Sequence, residues 1–137
     1  MTVYDMSKIA THGTFFELVR EKRIAKLLLQ HCSGFTMVHL VHFYLKEEYK
    51  TPEHREKFEA ALTKLCEIPI SPDSRWGVPA GVPERPVVDL SWDYNLVTHF
   101  YSVEDHNDYQ KHPDHDEFLE QFKDTWADVK IFDAALS

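Results

Sequence analysis

The sequence predicts an α+β domain built on one four-stranded antiparallel sheet with helices on a single face. Three observations carry this reading: a breaker-free β-branched and aromatic run over 35–46, two helical segments that each start on a proline after a capping residue, and the order strand, helix, strand, strand, helix pair, strand. The chain has 137 residues, 43% hydrophobic and 28% charged, which is enough apolar material for one core. The domain is expected over 35–137, with 1–34 as an N-terminal helical extension.

In that extension Phe15, Phe16, Leu18, Val19, Ile24, Leu27 and Leu28 form an imperfect stripe beside Glu17, Arg20, Lys22 and Arg23. The pattern predicts one amphipathic helix over 14–31, closed by Ser33-Gly34 and packed on the domain or on a partner subunit. The run from Phe35 to Lys46 predicts the first strand. Alternation puts Met37, His39, Val41 and Phe43 on one side and Val38, Leu40, His42 and Tyr44 on the other. Both sides are largely apolar, so both call for cover: helices on one, a second subunit on the other.

Thr51-Pro52-Glu53 reads as a helix start, with a capping hydroxyl, proline at the first position and an acid in the first turn. Phe58, Ala61, Leu62 and Leu65 give it a core-facing stripe that ends before Pro69. The proline-punctuated stretch that follows holds Trp76-Gly77 and predicts a short strand over 74–78, then a loop. Strand character returns most clearly over 94–101. Ser102, three residues before Asp105, caps a short helix through Lys111. His112 then caps a second helix with Pro113 in its first turn. His115, Phe118, Leu119, Phe122 and Trp126 recur at spacings of three and four, placing His115 on the apolar face. A last strand is expected at about 127–132.

Two split βαβ halves of this kind give a ferredoxin-like sheet with helices on one face. The other face stays bare, and homodimerisation through the sheet faces, closing toward an α+β barrel, buries it.

The charge narrows the partners. Fifteen Lys and Arg against 23 Asp and Glu leave a net −8, which disfavours nucleic acid and anionic membrane. No apolar run approaches a membrane span. Cys32 and Cys66 form no C-x-x-C pair and read as reduced thiols, so a cytoplasmic setting is expected. With four glycines and no G-x-S-x-G, G-x-G-x-x-G or P-loop pattern, the chain offers no phosphate cradle. His106, His112 and His115 lie among Glu104, Asp105, Asp108, Asp114 and Asp116, but without repeated ligand spacing, and acids near helix starts answer to the helix dipole. Neither a metal nor an organic cofactor is expected.

The strand Met37-Val38-His39-Leu40-Val41, Ile68-Pro69, Trp76-Gly77, Tyr109 with His112-Pro113-Asp114-His115, and Trp126 with Ile131-Phe132-Asp133 resemble the stress-responsive α/β-barrel domain (Dabb) family. The resemblance spans about 35–134 and implies a dimeric α+β barrel. By resemblance to the family's plant polyketide cyclases of the olivetolic acid type, which close a linear tetraketide without a cofactor, Tyr109 and His115 match the acid-base pair. His39 and Phe58 match pocket residues of those cyclases, and Phe118 and Trp126 match a late aromatic pair. Ala61 stands where they carry a tyrosine and Tyr94 where they carry a histidine, so the same substrate does not follow. Val41, Leu62, Leu96 and His112 complete the candidate ligand-binding set.

Such a pair suits proton abstraction from a small carbonyl compound. A histidine near its ordinary pKa of about 6.5 accepts a proton at neutrality, and a tyrosine near about 10 donates a hydrogen bond to the developing oxyanion. Two readings follow: a dimeric barrel with a helix-sheet pocket for a small apolar carbonyl ligand, without assigned activity, and a cofactor-free cyclase or lyase.

Overall fold

The computed structural model describes residues 34–137, and the helix expected over 14–31 lies outside them. The elements are β1 (Met37–Leu45), a 3-10 turn (Glu47–Tyr49), α1 (Pro52–Cys66), β2 (Asp73–Gly77), β3 (Tyr94–Phe100), α2 (Val103–Gln110), α3 (Pro113–Phe122), a second 3-10 turn (Lys123–Thr125) and β4 (Trp126–Ala135). The strands form one sheet in the order β2-β3-β1-β4, every neighbouring pair antiparallel. This is the ferredoxin-like order that the segment pattern predicts.

The caps act where the sequence places them. Thr51 Oγ1 accepts from the His54 amide at 3.2 Å and Ser102 Oγ from the Asp105 amide at 3.0 Å. Each satisfies a backbone donor that the first helical turn leaves without a partner. The last strand is longer than side-chain character suggests, running on through Asp133, Ala134 and Ala135. Pairing decides it: Ala135 still sits opposite Met37, so β1 supplies ladder partners to the end.

Alternation along β1 holds throughout, with Met37, His39, Val41, Phe43 and Leu45 buried and the residues between them half-buried. The buried side meets the helices. Phe58 of α1 sits at the centre of the core with no exposed surface, its ring 5.3 Å from Phe43, 5.2 Å from Tyr94 and 5.1 Å from Phe122. Truncating a phenylalanine so placed costs about 3–5 kcal/mol.

The opposite sheet face has no covering element among the described residues. Val97, Leu40 and Phe132 line up there across three strands by register, and Phe132 is 57% exposed. His42 lies on the same face beneath Trp92 from the loop before β3, ring centres 4.9 Å apart. Gly77 faces Asn95 across β2 and β3, and an added Cβ would meet the Asn95 amide oxygen at 2.9 Å.

Candidate functional site

A cavity of about 190 Å³ lies between the sheet and the helices. Alternate residues of β1 supply His39, Val41 and Phe43 to its wall, because every second side chain points to the helix layer. Helix α2 contributes Tyr109 and Gln110, α3 contributes His115, Phe118 and Leu119, and Trp126, Val129 and Ile131 come from β4. Leu65 of α1 and Leu96 of β3 complete it. The lining is apolar except for one set of groups, His39, Tyr109, Gln110 and His115.

Tyr109 is 1% exposed. Its ring lies 5.0 Å from that of His115 and 6.4 Å from that of His39. Burial holds the phenol well above its usual range, Cys66 adds to this and Thr98 opposes it, so the group stays protonated as a donor. His115 is 8% exposed, and its Nδ1 is buried with no hydrogen-bond partner among the described residues. Burial lowers its pKa, Asp116 opposes that, and His39, His106 and His112 reinforce it. The ring is therefore neutral at neutral pH, the form a general base needs.

His39 is buried, and its Nδ1 lies 2.5 Å from Asp133 Oδ1. In the neutral ring Nδ1–H donates to the carboxylate, which fixes the imidazole's orientation. Burial lowers the His39 pKa and the Asp133 contact opposes the shift. Asp133 reaches this position by register, since antiparallel pairing sets it opposite His39 and on the same face. The His106 ring lies 4.9 Å from His39. Neither Asp133 nor His106 belongs to the catalytic or ligand-binding set read from the sequence. Asp133 falls one residue past the predicted end of the last strand, whereas His106 had a usable signal: it stands three residues before Tyr109 and so shares its helix face.

Of the eleven residues that sequence reading assigned to the site, His39, Val41, Leu96, Tyr109, His115, Phe118 and Trp126 line this cavity. Phe58, Leu62, Tyr94 and His112 are placed elsewhere. Phe58 and Leu62 are fully buried in the core, and the Tyr94 hydroxyl donates to Glu59 Oε2 at 2.6 Å beneath the Arg55 guanidinium. His112 caps α3, its Nδ1 accepting from the Asp114 amide at 3.1 Å. A larger hollow of about 870 Å³ lies against residues 84–91, mostly exposed, and holds no buried ionisable group among the described residues.

The model of the stress responsive A/B barrel domain, Dabb, matches residues 37–136. The chain belongs to the Dabb family. Similar solved structures include a dimeric ferredoxin-like protein of unknown function from Thermobifida fusca, 26% identical over 75% of this chain and 92% of that one, with a TM-score of 0.61. A hydroxynitrile lyase from Passiflora edulis is 19% identical over 76% and 95% of the two chains, with a TM-score of 0.63. A Dabb protein of ferredoxin-like fold from Mesorhizobium loti is 18% identical over 75% and 98%, with a TM-score of 0.60. No curated protein sequence matches the chain. At these identities the lyase and the M. loti protein speak to fold alone, and function has to be argued from the site.

Proposed function

We propose that this Dabb domain works as a homodimer, joined through its bare sheet faces, that holds a small apolar carbonyl compound in the helix-sheet cavity. The observation that carries the reading is the cavity itself, apolar over most of its wall with Tyr109, His115 and His39 gathered on it. An engineered cavity of about 150 Å³ accepts benzene, so about 190 Å³ suits a ligand of roughly ten non-hydrogen atoms. The dimer draws support from the unpaired apolar row on the sheet and from similarity to the dimeric T. fusca protein. Residues 1–34 are a separate extension of this domain in the same reading. A cytoplasmic setting belongs to the same reading, on the two cysteines that form no C-x-x-C pair.

A second reading, a cofactor-free lyase or cyclase, is favoured by one observation: the buried His115 Nδ1 without a partner among the described residues, beside a phenol held protonated. His115 would take an α proton and Tyr109 would hold the enolate oxygen.

Binding is tested by thermal shift against a panel of small aromatic and aliphatic ketones and aldehydes. Wild-type protein is expected to be stabilised by some members and Leu96→Trp, which fills the cavity, by none. Equal shifts in both would refute the cavity assignment. Proton abstraction is tested by deuterium exchange at the α carbon of a bound ketone, followed by NMR. Exchange that drops at least a hundredfold in both His115→Ala and Tyr109→Phe supports the acid-base pair, and exchange unaffected by either removes it.

A further inference from the structure

We infer that His39, His106 and Asp133 form a binding site for a divalent transition-metal ion. The three come from β1, α2 and β4, and each brings a donor atom to within 4.8 Å of the other two. Two imidazoles and one carboxylate are the donor set that first-row divalent ions such as zinc, cobalt and iron take up, with further coordination positions left open. Calcium and magnesium, which prefer all-oxygen sites, fit it poorly.

Donors bound tetrahedrally to one ion at about 2.0–2.2 Å lie about 3.5 Å apart. The cluster therefore needs a closure of about 1.3 Å at its widest, and an ion that takes Asp133 as a ligand displaces the hydrogen bond from His39 Nδ1–H. The buried His39 is the fixed member, while His106 is half-buried and Asp133 is exposed, which leaves them free to adjust. Side chains that can hold the ligands in place are present. Gln110 Nε2 lies 3.3 Å from His106 Nε2, and Asn107 Oδ1 lies 3.4 Å from His106 Nδ1, so one nitrogen can be held while the other ligates.

The donors stand up to 94 residues apart in the chain, the separation of His39 and Asp133. Sequence spacing could not show them as a set. His106 lies close in sequence to His112 and His115, but His112 is committed to capping α3 and His115 is not part of the convergent cluster. His39 also lines the cavity, so an ion here would border the space proposed for a carbonyl ligand. The inference does not depend on that ligand.

The test uses full-length protein stripped with a chelator and titrated with Zn²⁺ in competition with a chromophoric indicator. One ion per chain is expected at micromolar affinity or tighter, weakened at least tenfold by His106→Ala and by Asp133→Asn. His112→Asn, which keeps a capping side chain, is expected to bind as the wild type does. Circular dichroism establishes that each variant is folded, and Co²⁺ supplies a second readout through visible d–d bands present in the wild type and lost in His106→Ala. Absence of competition by the wild type, or binding that persists undiminished in both His106→Ala and Asp133→Asn, overturns the site.

Discussion

His54 shows how burial sets chemistry one residue at a time. It lies on the half-buried flank of α1, its ring 4.9 Å from Tyr49, 6.2 Å from Phe58 in a stacked arrangement and 5.9 Å from Phe122, with Nε2 buried and unpartnered among the described residues. Desolvation lowers its pKa, and Lys57 and Arg55 lower it further. A histidine depressed in the folded state is protonated first in the unfolded chain. Its contribution to stability is full above about pH 6.5 and is lost as pH falls below that toward the folded value. The melting temperature is therefore expected to fall between pH 7.5 and 5.5, and His54→Phe, which keeps the ring contacts but cannot titrate, should reduce that fall. An unchanged pH slope in His54→Phe would assign the acid sensitivity to other groups. The same residue-scale logic explains what could be read from the chain at the site. His39 and His115 are legible because period-two and helical spacing place them on buried faces, whereas His106, noticed only as one of three neighbouring histidines, stays outside the catalytic and ligand-binding set because a partly covered helix face carries a weaker apolar signal than the stripe of α3.

At the scale of elements, helix ends were the most legible feature, since a cap is a local interaction between neighbours in the chain. His112 is the sharpest case: it stands at the N-cap of α3 with Pro113 behind it, and its imidazole takes the amide hydrogen of Asp114. Replacing a capping side chain by alanine costs about 0.5–2 kcal/mol. His112→Ala should be destabilised by about 1 kcal/mol in chemical denaturation, and His112→Asn should recover most of the loss because asparagine caps well. Loss of stability without recovery by asparagine would mean that the ring's packing, rather than its hydrogen bond, matters. Strand ends were less legible. The last strand reads as finished at Phe132 because Asp-Ala-Ala has poor strand character, yet its ladder with β1 continues to Ala135. That extension is non-local, set by a strand some ninety residues earlier, and it carries Asp133 to His39. The fold was thus readable from local patterns and their order, while the polar end of the cavity depended on register.

For the whole molecule, the sheet is the element in need of a partner. Among the described residues helices cover one side only, and the other presents Val97, Leu40 and Phe132 in register across β3, β1 and β4, with Tyr44 beside them under the Lys130 ammonium at 5.3 Å. Apolar rows of this kind are costly in water at about 25 cal/mol per Å², and a second copy laid face to face is the geometry that sheets favour for removing them. Light scattering on the eluting protein should give twice the 16.1 kDa of one chain. A carboxylate placed in the middle of the row would be buried unpaired in the dimer but solvated in the monomer, so Leu40→Glu and Phe132→Glu should each shift the mass toward a single chain at micromolar concentration. Folded monomer in both variants, by circular dichroism, separates interface loss from unfolding. A wild type that stays monomeric at high concentration, or glutamate variants that remain dimeric, would mean that the chain covers this face in another way.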